Sequence, residues 1–428
     1  MNLQHYAYIP KHIVLRRYKD VEIYDLKQEE SYIIDEEAYS LLQKIDGSKS
    51  IETITNQYEV EKRKEAFEAL DQFNHLNIVK FSDETVSDSS LVYNGHKTLP
   101  DKNQFKPPYL KNLMINITER CNLTCKHCYI TEKNQTDMEL DKLLELIQSF
   151  YELQGIRLIL TGGEPFLYDE LKPLLQELND IPLQKVMLTN AVLIPEQDQE
   201  IINLLESNHF EVFVSLDGLK ESHNEFRNAE CFQNTIDGIK RLLENDISVS
   251  INTMIHKKNY HEFDEMAQFL RNLGKIKNWA IDIPTLDESN PQSIRDTYEI
   301  SPEKGGQILR NYGWGVMIES GSDGGTKDYA CGPNLMAIDA VGRVSKCGFF
   351  TELSPGNVFD LGLKKSWEYI QKEANWDIHD LNCAKLGCEY LEDCRGGCRF
   401  RASQCSNDLK GIDLYKCIQY GRDKEEGS

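Results

Sequence analysis

The 428-residue sequence lacks any apolar run near the roughly 20 residues needed to cross a bilayer. Its first ten residues also lack the basic and then apolar pattern of a secretory signal. Basic residues are scarce beside acidic ones, 48 against 70, so the formal net charge is −22. Nucleic acid binds basic surfaces, and such an acidic chain is a poor partner for it. We therefore expect a cytoplasmic protein that binds neither membrane nor nucleic acid.

The N-terminal part of the chain predicts a small separate domain. Residues 1–83 combine three extended stretches (13–18, 21–26 and 31–34), three helical stretches and a closing strand over 76–81, a pattern typical of a winged-helix-like domain. Asp35 is positioned to cap the first of these helices. Residues 84–110 are polar and contain prolines, which predicts a linker.

The rest of the chain predicts an α/β core followed by a cysteine-rich segment. Residues 111–285 alternate helical segments with six short apolar strands: 113–117, 157–160, 186–188, 212–215, 248–254 and 279–283. This alternation favours a parallel sheet, doubly wound or closed as a partial (β/α)6 TIM barrel. In either fold the active site lies at the carboxyl ends of the strands. Residues 286–428 predict a loop-rich domain.

Three closely spaced cysteines follow the first strand of the predicted core. Residues 121–128 read Cys-Asn-Leu-Thr-Cys-Lys-His-Cys, which places Cys121, Cys125 and Cys128 in one loop. Such a set suits a metal centre and is one thiolate short of a closed tetrahedral site. An iron–sulfur cluster held by these three would leave one iron open to a ligand. A zinc site completed by His127 or by a distant residue is the alternative.

Two further motifs follow the later strands in order. Gly162-Gly163-Glu164-Pro165 follows the second strand, and Ser215-Leu216-Asp217-Gly218 ends the fourth. With the cysteine loop, they make the chain resemble the radical S-adenosylmethionine (SAM) enzymes. The resemblance implies a 4Fe–4S cluster that binds and reductively cleaves SAM, giving a 5′-deoxyadenosyl radical that removes a substrate hydrogen. It also implies a one-electron reductant of the flavodoxin or ferredoxin type.

The same resemblance implies a set of cofactor-binding residues: His127, Gly162, Gly163, Glu164, Thr189, Asn190, Ser215, Arg227 and Asn252. By this resemblance, Glu164 accepts a hydrogen bond from the methionine ammonium group of SAM, and His127 stacks near the adenine. Arg227 pairs with the methionine carboxylate, with a surface salt bridge as the alternative. The two glycines let the backbone approach a ligand closely. Ala191 stands where the family often has glycine, so we expect that loop to avoid left-handed φ.

Eight more cysteines lie between Cys331 and Cys417. They resemble the SPASM domain, which adds two auxiliary 4Fe–4S clusters to peptide-modifying radical enzymes. The resemblance implies two ligand sets: Cys331, Cys347 and Cys398, with Cys405 or an open iron completing the first; and Cys383, Cys388, Cys394 and Cys417. Some thioether-forming enzymes share the four-residue gap after Cys383. Two structural zinc sites are the alternative.

The N-terminal pattern resembles the leader-peptide recognition domain of ribosomal-peptide maturases, related to the small chaperone of pyrroloquinoline quinone biosynthesis. In those domains the leader peptide adds as a strand to a sheet edge. By this resemblance, the edge that binds the leader here consists of Ser31, Tyr32, Ile33 and Ile34. We therefore expect a radical SAM maturase that crosslinks a leader-bearing precursor peptide through a thioether or a carbon–carbon bond. A porphyrin or haem-pathway radical enzyme, a peptide epimerase, and a zinc-stapled scaffold that binds DNA are the alternatives.

Overall fold

The computed structural model describes residues 2–87, 99–130, 135–284, 286, 290–315 and 327–422. The chain forms two compact units. The first comprises Met1–Tyr109 with Asp180–Gln184, and the second comprises Leu110–Asn179 with Lys185–Ser428. The boundary at Tyr109 lies at the end of the predicted linker, of which residues 88–98 are outside the described part of the chain.

The first unit contains the predicted strands and helices and one additional ribbon. An antiparallel sheet is formed in the order β2 (Ile13–Arg17), β3 (Val21–Asp25), β4 (Glu30–Ile34). Three helices follow: α1 (Glu36–Leu42), α2 (Ile51–Thr55) and α3 (Arg63–His75). The ribbon pairs β1 (Tyr6–Tyr8) with β5 (Lys80–Ser82). Asp35 caps α1 as predicted, because its Oδ1 accepts from the Ala38 N–H at 2.8 Å.

The predicted closing strand over 76–81 is wrong for its first four residues. Asn77 adopts a left-handed φ of 61°, and the Ile78 and Val79 N–H groups donate to the Phe73 carbonyl. These bonds satisfy the end of α3, so the strand begins only at Lys80. Strand β1 was not predicted, because three residues are too few to show a period-2 pattern.

The second unit is built on an eight-stranded sheet in the order β11-β10-β9-β8-β7-β6-β12-β13. Its strands are β6 (Asn112–Thr118), β7 (Arg157–Gly162), β8 (Gln184–Thr189), β9 (Glu211–Ser215), β10 (Ser248–Met254), β11 (Trp279–Asp282), β12 (Leu335–Ile338) and β13 (Val344–Ser345). The pairs β6/β7, β8/β9, β9/β10, β10/β11 and β6/β12 are parallel, and β12/β13 is antiparallel. All six predicted strands are present, and the mixed α/β fold with a partial-barrel sheet is confirmed. Strands β12 and β13 were missed because such short apolar runs carry no periodicity.

Helices flank this sheet and fill the C-terminal region. They are α4 (Leu140–Glu152), α5 (Leu171–Leu178), α6 (Gln199–Ser207), α7 (Lys220–Arg227), α8 (Phe232–Glu244), α9 (Phe263–Leu273), α10 (Gln292–Tyr298), α11 (Pro302–Asn311), α12 (Val358–Leu361), α13 (Leu363–Glu373), α14 (Asn382–Lys385), α15 (Leu391–Cys394), α16 (Arg399–Ser406) and α17 (Leu414–Gln419). Among the described residues, none of the helices has the length and apolar content that a bilayer crossing requires.

The inner face of the sheet is apolar. Its buried cluster combines side chains from six strands: Met114, Ile159, Val186, Phe213, Ala280, Leu335 and Ala337. Polar residues therefore gather at the two ends of the strands. At the amino ends, buried Glu211 pairs with Arg157 and Lys277, each at 3.2 Å, and accepts from Ser250 Oγ at 2.6 Å. The carboxyl ends carry the candidate site.

Candidate active site

A cavity of about 640 Å³ lies at the carboxyl ends of the parallel strands. Its wall includes the last residue of each of the strands β7 to β11: Gly162, Thr189, Ser215, Met254 and Asp282. This is the edge at which an α/β fold collects its functional loops.

The cysteine loop after β6 forms one side of this cavity. Cys121, Cys125 and Cys128 all line it. Two polar contacts fix the start of the loop: Arg120 pairs with Asp137, and Asn190 Nδ2 donates to Asn122 Oδ1 at 2.8 Å.

The C-terminal end of α7 holds the middle of the same loop. The Lys126 N–H donates to the Phe226 carbonyl at 3.0 Å, and Asn228 Nδ2 donates to Thr124 Oγ1 at 2.9 Å. His127 stacks on the Phe226 ring with centroids 4.2 Å apart. Burial lowers the pKa of His127 well below its ordinary value, so its imidazole is neutral at neutral pH. His127 also lines the cavity.

Arg227, the last residue of α7, lies between a carboxylate and a cysteine. Its Nη2 is 2.5 Å from Asp217 Oδ2, and its Nη1 donates to Cys125 Sγ at 3.6 Å. Burial opposes its charge, but Asp217 and Cys125 outweigh burial and raise the pKa of Arg227. The alternative of a surface salt bridge is wrong, because the Arg227 and Asp217 side chains are only 9% and 0% exposed.

Glu164 ties the ends of two strands together. Its carboxylate accepts from Thr189 Oγ1 at 2.7 Å, from the Asn190 N–H at 2.9 Å and from the Phe166 N–H at 3.2 Å. Burial raises the pKa of Glu164 to about 7. The carboxylate is fully buried and Glu164 is absent from the cavity wall. Its contact with a methionine ammonium group stays a prediction.

The backbone around Glu164 explains the two glycines before it. A Cβ on Gly162 would lie 2.2 Å from the Thr118 carbonyl oxygen, and one on Gly163 would lie 2.0 Å from that of Arg120. Both glycines line the cavity, but close packing against the end of β6 and the residues that follow it already requires them. The need for glycine at these two positions therefore follows from the packing of the protein itself.

The expectation for Ala191 is wrong, because this residue has a left-handed φ of 61°. Two hydrogen bonds hold the turn in that conformation. The Ala191 N–H donates to Thr189 Oγ1 at 2.9 Å, and Thr235 Oγ1 donates to the Asn190 carbonyl at 3.1 Å. Tertiary contacts thus impose a conformation that alanine disfavours.

The structure brings nearly all of the predicted cofactor-binding residues to one cavity. The ones that line it are His127, Gly162, Gly163, Thr189, Asn190, Ser215, Arg227 and Asn252. Their individual contacts to SAM remain predictions.

The first auxiliary cysteine group faces the same cavity. Cys331, Cys347 and Cys398 line it, whereas Cys405 is exposed on α16 and is not part of the cavity wall. A hydrogen bond from Cys398 lowers the pKa of Cys331 to about 7, and burial raises that of Cys347 to about 11.

The second auxiliary group lines a smaller recess. Cys383, Cys388, Cys394 and Cys417 all contribute to it, and Cys394 also reaches the large cavity. Burial raises the pKa of Cys394 to about 11 and that of Cys417 to about 12. Buried thiols of this kind become thiolates when a strongly positive metal group binds them. Among the described residues, no three His, Cys, Asp or Glu side chains converge on a single-ion site.

Basic residues beside the auxiliary cysteines were not predicted. Lys346, Arg401 and Lys416 line the large cavity. Lys346 Nζ donates to Asn375 Oδ1 at 2.7 Å, and burial lowers its pKa to about 8. Each of the three lies within three residues of a cysteine in the sequence, a proximity that could have revealed them, since cations stabilise thiolates.

The four predicted leader-binding residues lie on β4, which is an edge strand of the β2-β3-β4 sheet. Tyr32 and Ile34 pack against the core of the first unit, and Ile33 is 59% exposed. Edge strands present free main-chain donors and acceptors to an added strand.

Comparison with known proteins gives a family match for part of the second unit. Residues 115–270 match the family model described as Radical SAM superfamily. The AdoMet-dependent heme synthase of Oleidesulfovibrio alaskensis is 25% identical over 72% of this chain and 88% of its own length. The antilisterial bacteriocin subtilosin biosynthesis protein AlbA of Bacillus subtilis is 22% identical over 85% and 84%.

A solved structure shares the fold over nearly the whole chain. Streptococcus suis SuiB bound to S-adenosylmethionine superposes with a TM-score of 0.66 at 16% identity, over 96% of this chain and 99% of SuiB. SuiB bound to its precursor peptide SuiA gives a TM-score of 0.64. The fold, the ordered motifs and the family match agree: residues 115–270 of this chain are a radical SAM domain.

Proposed function

We propose that this protein is a radical SAM maturase that installs an intramolecular crosslink in a ribosomally made precursor peptide. The observation that carries the proposal is the shared cavity. Cysteines of the first loop and cysteines of the C-terminal region line the same 640 Å³ space. A substrate residue in that space would lie between two metal-binding groups.

The donor sets fit iron–sulfur clusters. Cys121, Cys125 and Cys128 would hold the SAM-binding 4Fe–4S cluster. The two other groups, Cys331/Cys347/Cys398 and Cys383/Cys388/Cys394/Cys417, would hold auxiliary clusters. Sets of cysteine thiolates are the ligands that iron–sulfur clusters use. When bound, cluster and SAM supply a carbon radical that removes a substrate hydrogen atom.

The chain's own side chains prepare this space. Asn190 and α7 hold the cysteine loop in place, and Arg227 stays charged beside Cys125. Lys346 and Arg401 supply positive charge beside the first auxiliary group. That group has three cysteines, and Cys405 is exposed and outside the cavity wall, which favours an open iron able to bind a substrate thiolate.

The formation of a thioether balances in atoms and electrons. Joining a cysteine S–H to a C–H removes two hydrogens from the peptide. One leaves as the hydrogen atom taken by the radical, and the other leaves as a proton and an electron. That electron balances the one consumed in cleaving SAM, for which we infer a flavodoxin- or ferredoxin-type donor.

A peptide substrate is supported by the first unit and by the extent of the matches. AlbA matches 85% of this chain, whereas the heme synthase matches 72%. SuiB, bound in one structure to its precursor peptide, covers 96%. The edge strand β4 offers a leader the place that strand addition requires.

A haem-pathway reaction is the second candidate. Heme synthases are 25–26% identical to this chain, above the 22% of AlbA. Binding of a tetrapyrrole without affinity for peptide would favour this candidate.

Anaerobic co-expression with a cysteine-containing precursor peptide tests the proposal. Mass spectrometry should find two hydrogens lost per crosslink, and fragmentation should locate the bond. Cys125→Ala should abolish the change, whereas the matched Cys405→Ser variant should retain it. An unchanged peptide mass and no 5′-deoxyadenosine from the reconstituted enzyme would refute the proposal. An unchanged mass with deuterium uptake from heavy water would indicate epimerisation instead.

The leader site has its own test. Ile33→Asp places a charge on the exposed face of β4 and should weaken binding of a fluorescent leader peptide at least tenfold. Val60→Asp changes another exposed apolar residue, 73% accessible and outside β4, and should not weaken binding. Equal binding by both variants and the wild type would exclude β4 as the docking strand.

A further inference from the structure

The C-terminal end of α7 contacts four consecutive residues of the cysteine loop. Thr124 is bonded by Asn228, Cys125 by Arg227, Lys126 by the Phe226 carbonyl, and His127 by the Phe226 ring. Contacts on both sides of Cys125 fix its sulfur relative to the guanidinium. The Nη1···Sγ contact is therefore a positioned interaction, although it joins residues 102 apart in sequence.

Asp217 holds the guanidinium from the opposite side. Its Oδ2 pairs with Arg227 Nη2 at 2.5 Å, while its Oδ1 accepts from the Met254 N–H at 2.8 Å. The Asp217 backbone is fixed as well, because its N–H donates to His223 Nδ1 and its carbonyl accepts from Asn259 Nδ2. With Asp217 fully buried, the guanidinium has little freedom to turn towards another anion.

We propose that Arg227 is a positioning residue that sets the reduction potential of the cluster on Cys121, Cys125 and Cys128, with Asp217 as its anchor. The inference rests on the proposed function, because it assumes a cluster at these cysteines. A charged N–H donor at a ligand sulfur stabilises the more negative, reduced cluster and so raises its potential. This role is distinct from pairing with the methionine carboxylate, because it is exerted on the Cys125 sulfur that Arg227 Nη1 already contacts.

The test is a redox titration of the anaerobically reconstituted enzyme without SAM, followed by EPR. A variant lacking all three loop cysteines identifies the signals of the auxiliary clusters, which are subtracted. Arg227→Gln should shift the reduction equilibrium at least tenfold towards the oxidised cluster, about 59 mV for one electron. Arg227→Lys, which keeps charge but loses the two-sided geometry, should fall between Arg227→Gln and wild type.

Arg241→Gln is the matched control. Arg241 donates to the carbonyls of Ile194, Pro195 and Gln197, and it lies outside the cavity wall, so its loss should leave the potential unchanged. An unchanged potential in Arg227→Gln, with a raised dissociation constant for SAM, would overturn the inference and assign Arg227 to the methionine carboxylate. If Arg227→Gln does not assemble a cluster, the Arg227→Lys variant decides by the same criterion. Absence of iron at the loop cysteines of the wild type would instead refute the proposed function.

Discussion

The buried charge group at the amino ends of the strands gives a stability prediction that is independent of catalysis. Glu211 is 3% exposed and pairs with Arg157, itself only 7% exposed, and with Lys277. Glu211→Gln removes the anion and leaves the two cations facing a neutral amide. Breaking a buried ion pair in this way costs about 3–5 kcal/mol, because the remaining charge stays desolvated.

The same substitution should also change how the free energy of unfolding depends on pH in acid. Burial alone would raise the pKa of Glu211, but Lys277 and Arg157 outweigh burial and lower it. A folded-state pKa below the unfolded value of about 4.3 stabilises the fold above that pH. The stabilisation is lost as pH falls through the folded-state pKa. The difference between wild type and Glu211→Gln should therefore be constant near neutral pH and shrink in acid.

Urea unfolding followed by far-UV circular dichroism measures both effects under anaerobic conditions. The matched control is Glu200→Gln, which breaks an exposed pair with Lys172 and should change the unfolding midpoint little. If Glu211→Gln unfolds at the same urea concentration as Glu200→Gln and wild type, the reasoning from burial is refuted.

Two further predictions concern the site itself. Gly163→Ala should destabilise the fold by about 2–4 kcal/mol or displace the cysteine loop, because its Cβ would lie 2.0 Å from the Arg120 carbonyl oxygen; a wild-type melting temperature and iron content would contradict this. Cys405→Ser should keep the iron and acid-labile sulfide of the wild type, because Cys405 is exposed and outside the cavity wall, whereas Cys398→Ser should lose part of both; equal losses in the two variants would make Cys405 a ligand.

Much of the fold was predictable because its signals are local. The six apolar strands of the core and the helices between them follow from periodicity and length, and Asp35 was identified as a cap from its position alone. The errors in the predicted strands also have local causes. Strands β12 and β13 are too short for a pattern, and 76–79 was assigned to a strand because the bonds that end α3 depend on a left-handed Asn77.

The sequence by itself determined which residues can bind metal and in what order the loops follow the strands. The spacing of Cys121, Cys125 and Cys128 is a property of one short loop, so covalent geometry already brings these thiols together. Only the tertiary structure decided which distant groups share a cavity, that Cys405 is exposed outside the cavity wall, and that Asp217 and Cys125 both engage Arg227. Tertiary contacts also place the Glu164 carboxylate within hydrogen-bond distance of Thr189 Oγ1 and hold Ala191 at a left-handed φ. The physical reason is that such contacts join elements far apart in the chain, and packing of the whole sheet sets their distances.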